Sequence, residues 1–167
     1  MCIRIVVIFS TFLLASCFGS PDHKDELQQQ HTREHQEALV EVNKQLVKDD
    51  MAEIENYVER HGWDAKATET GVWYEVSEQG KGATIENQQT ITINYSVSLL
   101  NGTPCYSSEA DGKPKTLRVG QGEVVPGLDK SLVLLKKGDK ARFVIPPHMA
   151  YGIVGDNNKI PMRATII

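Results

Sequence analysis

Residues 119–152, VGQGEVVPGLDKSLVLLKKGDKARFVIPPHMAYG, constrain the fold more than any other part of this chain. Pro126-Gly127 suits a helix start, because proline lacks only an N–H that the first turn leaves unpaired. Leu128, Leu132 and Leu135 then recur at i, i+4 and i+7, which is one apolar helix face. Lys136-Lys137-Gly138 ends it, with cations at the negative end of the helix and a glycine just beyond. Residues 140–145 alternate polar and apolar as a half-buried strand does, and Pro146-Pro147 stop that strand. The unit is a strand end, a short one-faced helix and a second strand, and it contains no nucleophile or metal cluster.

Earlier segments read as its partners. Residues 90–99 alternate, with Ile91, Ile93, Tyr95, Val97 and Leu99 on one face, predicting one strand with Tyr95 pointing inward. Asn101-Gly102 is a strong two-residue hairpin signal, and Gly80-Lys81-Gly82 is a turn. The 167 residues suffice for one domain with a real core plus an appendage. A net charge of -4 gives no basis for a nucleic-acid-binding face.

The run VVPGLDKSLVLLKKGDKARFVIPPHMAYG resembles the core of the FKBP-type peptidyl-prolyl cis-trans isomerases, in which a V-(I/V)-x-G-(W/L) turn opens the central helix and A-Y-G follows the next strand. Thr70-Gly71-Val72-Trp73-Tyr74-Glu75-Val76 is similar to the strand that opens many bacterial members, so the resemblance covers residues 70–167. It implies an α+β fold, an antiparallel twisted sheet wrapped around one short helix, preceded here by a long N-terminal helix. It also implies rotation of Xaa–Pro amides with no cofactor and no metal. That rotation breaks amide resonance against a barrier of about 18–20 kcal/mol, and no proton has to move. The twisted amide is less polar than the planar one, so a dry apolar hollow favours the transition state over the ground state.

Carried over from the family, the catalytic residues are Tyr95, Val125 through its N–H, and Tyr151 through its hydroxyl. The substrate-binding residues are Val124, Leu128, Leu117, Ile160, Cys105 and Tyr106. Tyr95, Val124 and Leu128 also read as plain core, whereas Tyr151 after a loop reads more as a ligand contact. Departures are marked. Cys105-Tyr106 stands where the family has a Phe-Asp pair, Lys115 replaces a pocket aromatic two residues before Leu117, Leu128 replaces tryptophan, and Asp156 and Lys159 alter the loop after Tyr151. The chain ends at Ile167, where the family continues for another strand. These changes predict a pocket poorer in aromatic area, without its carboxylate, and weak isomerisation.

Residues 1–17 combine Arg4, an apolar run from Ile5 to Ala15 and Leu14-Ala15-Ser16-Cys17, which resembles a bacterial lipobox with Cys17 as the lipidated residue; an ordinary cleaved signal with an incidental cysteine is the alternative. The run is too short to span about 30 Å of hydrocarbon. With Cys2 removed and Cys17 lipidated, Cys105 is left alone and no internal disulfide is expected. Lys24-Asp25-Glu26-Leu27 is internal and therefore no C-terminal retention address. Residues 18–35 read as a polar, flexible tether; His31 and His35 stand four apart but have no third ligand nearby. Residues 36–62 read as an amphipathic helix with Leu39, Val42, Leu46, Ile54, Tyr57 and Val58 near one stripe and Gly62 as its cap. That stripe fits packing on the domain and pairing in a homodimer equally well.

Lipobox, leading helix, missing carboxylate and the GDNNKI loop together are similar to the gliding-motility-associated FKBP-like lipoproteins. The expected partners are proline-containing exported polypeptides and a membrane reached through the lipid anchor, with no nucleic acid. The expected place is the bacterial envelope: the periplasmic side of the inner or outer membrane, or the cell surface. A folding helper or peptide-binding lipoprotein with little isomerase activity, and a structural lipoprotein of an envelope or motility assembly, remain the alternatives.

Overall fold

The structure, a computed structural model, describes residues 23–167. The proposed leader and Cys17 lie outside the described residues. The chain divides into residues 1–41 and residues 42–167.

In the first unit the described residues are helical, part of α1 (His23–Arg60). The helix thus begins before the expected residue 36, and the described part of the 18–35 stretch is helical. Its Gln, Glu, Lys and Arg are good helix formers, and local bonds support them: Gln30 Nε2 donates to Glu34 Oε1 at 3.2 Å and Thr32 Oγ1 to the Gln28 carbonyl at 2.8 Å.

In the second unit the end of α1 buries part of the expected stripe. Ile54 (0% exposed) and Val58 (4%) pack with Val144, flanked by Tyr57, Trp63 and Trp73. Gly62 takes φ +62° and its N–H donates to the Glu59 carbonyl at 3.0 Å, so the helix is capped where the glycine stands. Leu39 and Val42, assigned to the same stripe, are 63% and 55% exposed.

The strands are β1 (Lys66–Ala67), β2 (Trp73–Glu78), β3 (Thr90–Ile93), β4 (Ser96–Ser98), β5 (Pro104–Ser107), β6 (Lys115–Arg118) and β7 (Lys140–Val144). All pairings are antiparallel: β1-β2-β7, β3 with β6, and β4 with β5. Strand β1 lies ahead of residue 70, so the sheet starts earlier than the resemblance implied. Ile166 bridges Leu99 and Ile145, which stitches the end of the chain between the β4 hairpin and β7.

The single strand expected over 90–99 is two strands. Ser108 causes the break: its hydroxyl accepts the Tyr95 N–H at 3.1 Å and its own N–H donates to the Tyr95 carbonyl at 2.9 Å. Ile91 and Ile93 therefore join one apolar cluster, with Leu117, Val119 and Leu132, while Val97 and Leu99 join another, with Val72, Ile145 and Ile166. At the hairpin Asn101 Oδ1 accepts the Thr103 N–H at 3.0 Å and Gly102 takes φ +83°.

Helix α2 (Pro126–Ser131) is shorter than the leucine spacing predicts, and Leu132–Leu134 continue it as a 3₁₀ turn. Ser131 Oγ donates back to the Gly127 carbonyl at 2.7 Å, a local bond that competes with the helical ladder. The tighter turn leaves Val133 and Leu134 exposed, while Leu132 and Leu135 stay buried. Asp129 fixes where α2 begins. Its carboxylate accepts the N–H groups of Gly120 and Gly122 at 2.7 and 2.9 Å, tying the preceding turn to the helix.

Candidate functional site

The candidate site forms where the start of α2, the exit of β7 and the β5 hairpin meet. Pro146 and Pro147 end β7 and start a 3₁₀ turn (Pro147–Met149), after which Gly152, at φ +66°, donates its N–H to the Pro147 carbonyl at 2.8 Å. That sharp reversal places Tyr151 against the apolar cluster of Val72, Cys105, Ile145, Met149, Ile160 and Ile166. Val125, Leu128 and Tyr106 pack against the same cluster, all partly buried.

Among the family-derived residues, Val125, Leu128, Tyr151, Ile160, Cys105 and Tyr106 are thus brought together. Leu117 and Val124 are not part of that cluster. Both lie in the neighbouring one, where Leu117 is 2% exposed beneath α2, so the register of β6 against β3 makes Leu117 a core residue rather than a wall of the hollow. Leu128 touches both clusters and separates them. Ile160 and Cys105 are 2% and 3% exposed, so they belong to the buried interior of that cluster.

Hydroxyl groups distinguish the tyrosines. Tyr95, expected to point inward at the site, lies in neither apolar cluster; it donates to Asp111 Oδ2 at 2.7 Å, and this bond, ahead of burial, holds its phenol above the usual range. Tyr106 donates to Asp156 Oδ2, raising the Tyr106 pKa and lowering that of Asp156. The Asn158 amide adds a bond to the Tyr106 hydroxyl at 3.2 Å, and the Lys159 ammonium lies 5.1 Å from the centre of the ring. Tyr151 differs: burial first, then the nearby Asp156 charge, pushes its pKa up, and its hydroxyl makes no hydrogen bond among the described residues. The N–H of Val125, at the mouth of α2, is also without a partner among the described residues.

The family's carboxylate is absent at Tyr106, as expected from the residues, but two other carboxylates bond tyrosine hydroxyls, which the sequence alone did not reveal. Asp156 approaches from the loop after Tyr151, and Asp111 from the turn after β5. Asp156 also organises its own loop, its Oδ1 accepting the N–H groups of Asn158 and Ile160 at 2.9 and 2.8 Å. An Asp followed by Asn157-Asn158, where Asn157 takes φ +57°, is an Asx-turn signal that marks this position in the sequence. Asp111-Gly112 is a turn signal of the same kind.

Chemically the arrangement is an apolar cluster with few polar groups. Burial pushes the Cys105 thiol up, so it stays protonated, a small apolar filler with its sulfur 3.7 Å from the Lys159 carbonyl. Among the described residues no cluster of His, Cys, Asp and Glu suits a metal.

Comparison with known proteins bears on this geometry. The family profile of the FKBP-type peptidyl-prolyl cis-trans isomerases matches residues 81–167. A probable FKBP-type peptidyl-prolyl cis-trans isomerase of Haemophilus influenzae is 38% identical over 64% of this chain and 43% of its own length. The probable FkpA of Neisseria meningitidis serogroup B is 30% identical over 87% of this chain and 54% of its own length. This chain therefore spans about half, or less, of the curated relatives it matches. Among solved structures, FkpA from Escherichia coli aligns with a TM-score of 0.61 and 31% identity over 89% of this chain and 70% of that one. AtFKBP13 aligns with a TM-score of 0.59 and 30% identity over 62% of this chain and 91% of that one.

Proposed function

Because this chain belongs to the FKBP-type peptidyl-prolyl cis-trans isomerase family, we propose that it turns Xaa–Pro bonds of exported polypeptides from cis to trans and back. The proline ring enters the hollow beside Leu128, backed by Ile160. Its three ring methylenes bury roughly 2 kcal/mol of apolar binding at about 0.8 each. Removing water from the amide disfavours its planar, more polar ground state, and each ~1.4 kcal/mol gained selectively in the twisted state is tenfold in rate. Tyr151 and Val125 hold the flanking carbonyls.

The observation that carries this reading is the pair of unspent donors, the Tyr151 hydroxyl and the Val125 N–H, at the edge of an otherwise apolar cluster. A half-buried donor with no internal partner loses hydrogen bonding unless a ligand or water restores it. Activity is modest in this proposal, since Cys105 and Leu128 offer less aromatic surface than the family's usual residues.

The test is a protease-coupled assay on a proline tetrapeptide with the purified chain. Acceleration in proportion to protein concentration supports the proposal, and a rate equal to the uncatalysed one removes it. A peptide-binding helper is the second reading, favoured by Ile153, Val154 and Met162, which are 71%, 60% and 73% exposed on the loop after Tyr151. Slowed aggregation of an unfolded client without any catalysed isomerisation favours the helper.

Placement at the envelope through a lipid on Cys17 belongs to the same proposal, as does a homodimer through α1, where Leu39 and Val42 are largely exposed. Labelling with a radioactive fatty acid that is abolished by Cys17→Ser tests the anchor. Light scattering of the soluble chain before and after Leu39→Glu tests the dimer.

A further inference from the structure

We propose that Asp50, on helix α1, is a positioning residue for the isomerase site: it holds Arg163, and through Arg163 the loop that joins Tyr151 to Ile160. This role presupposes the isomerase reading above. Arg163 Nη2 donates to Asp50 Oδ1 at 2.7 Å, with side chains only 31% and 13% exposed. Ion pairs in open solvent contribute little, but one screened from water on most sides holds its geometry better.

Arg163 is also an unusual backbone position. It takes φ +52°, a left-handed conformation that side chains other than glycine adopt at a cost. Its N–H donates to the Gly152 carbonyl at 3.1 Å, so residues 152–163 close on themselves directly beside Tyr151. Within that loop the Gly155 N–H donates to the Tyr151 carbonyl at 3.2 Å and the Asp156 N–H to the Ile160 carbonyl at 3.1 Å. A change in how Arg163 sits is therefore passed through its bond to Gly152, the residue that follows Tyr151 in the chain.

The loop has fastenings of two kinds. Tyr106 grips Asp156 from within the sheet-and-helix unit that builds the hollow. Asp50 grips Arg163 from α1, an element that supplies no wall of the hollow. Helix α1 is a firm support for this second grip. Ile54 and Val58, one and two turns further on, are buried in the core. Met51, next to Asp50, lies so close to Gly71 that a Cβ there would stand 2.9 Å from its sulfur. An electrostatic contact far along the chain from the hollow thus sets the shape of its rim.

The experiment uses the full chain with Asp50→Asn, Arg163→Gln, their double variant, and the charge exchange Asp50→Arg with Arg163→Asp. kcat and KM for a proline tetrapeptide are measured separately, together with the urea midpoint and amide hydrogen exchange at Gly152 and Arg163. Each single variant is expected to lower kcat/KM about 5-fold, mainly through KM, because the hollow is intact while the Tyr151 hydroxyl is displaced. The double variant should lose no more than either single one, and the charge exchange should recover most of the loss. Exchange of the Arg163 amide should quicken in Asp50→Asn.

A wild type that catalyses, with variants that keep its kcat and KM, overturns the inference and leaves the isomerase reading standing. A loss in kcat/KM that merely follows the unfolded fraction, with no rescue by the charge exchange, also overturns it. If the wild type itself fails to catalyse, the isomerase reading falls, and amide exchange then decides about the pair: quickened exchange upholds the positioning of the loop, and unchanged exchange rejects it.

Discussion

Replacing Gly127 by alanine tests the packing that fixes α2 and, with it, the mouth of the hollow. A Cβ built at Gly127 lies 2.5 Å from Ile145 Cγ2, 3.0 Å from the Met149 carbonyl oxygen and 3.1 Å from Val72 Cγ2. Ordinary contact begins near 3.4 Å, so α2 has to withdraw from β7 by about 1 Å. Neither side chain gives way easily, since Val72 and Ile145 are 0% and 4% exposed. Overpacking of this kind costs about 1–3 kcal/mol. The opposing gain, alanine over glycine in a helix, is at most about 1 kcal/mol and smaller in the first turn, so the clash wins by roughly 1–2 kcal/mol.

Urea unfolding followed by tryptophan fluorescence measures this directly. With a slope of about 1–3 kcal/mol/M, the midpoint of Gly127→Ala should fall by about 1 M with the slope unchanged. Isomerase activity should fall further than stability, because α2 carries Val125 and Leu128 away with it. In an Ile145→Ala background the nearest clash is gone, and the added cost of Gly127→Ala should shrink by about 1 kcal/mol. A midpoint equal to or above that of the parent, or an equal cost in both backgrounds, refutes the close approach of α2 and β7.

Other substitutions probe single contacts. Tyr151→Phe should lower kcat/KM about 2- to 12-fold, the worth of one hydrogen bond of about 0.5–1.5 kcal/mol, and leave the urea midpoint alone because the hydroxyl has no partner among the described residues; a shifted midpoint with unchanged kinetics contradicts this. Asp129→Asn should cost about 1–3 kcal/mol in urea unfolding, since one acceptor oxygen cannot serve both Gly120 and Gly122 and the amide NH₂ then faces an N–H; an unchanged midpoint rules out the carboxylate as the tie. Tyr106→Phe should flatten the acid limb of the stability profile. Asp156 is held below its unfolded value by the Tyr106 hydroxyl, so that contribution is present above about pH 4 and is lost as pH falls through the lower folded value. The parent and variant should converge in acid, and parallel profiles from about pH 6 to 2 argue against the bond.

Much of the fold was written in local patterns. The Pro126 start, the strand over 140–145 and the Asn101-Gly102 hairpin depend on residues adjacent in sequence, whose backbone preferences act before any tertiary contact forms. The family motifs also lie in that stretch, so Tyr151, Val125 and Leu128 were legible as neighbours, and they pack against one apolar cluster. The split of the 90–99 strand was not legible, because Ser108 imposes it from the turn after β5. The role of Leu117 was missed for a similar reason: alternation tells which residues face inward, and only sheet register tells which of the two apolar clusters they face.

The carboxylates at the rim mark the same boundary. From the residues alone, Tyr106 in place of aspartate removes an acidic group; in three dimensions its hydroxyl reaches Asp156, and Tyr95 reaches Asp111. By itself the sequence determined many of the elements and the class of chemistry, since periodicity, turns and motifs are encoded over a few neighbouring positions, while the split of the 90–99 strand and the ends of α1 and α2 came out differently in the structure. Tertiary structure alone decided which hydroxyls are occupied, which clusters the leucines fill, and that α1 grips the loop through Asp50 and Arg163, because each depends on groups far apart in the chain meeting within hydrogen-bond reach.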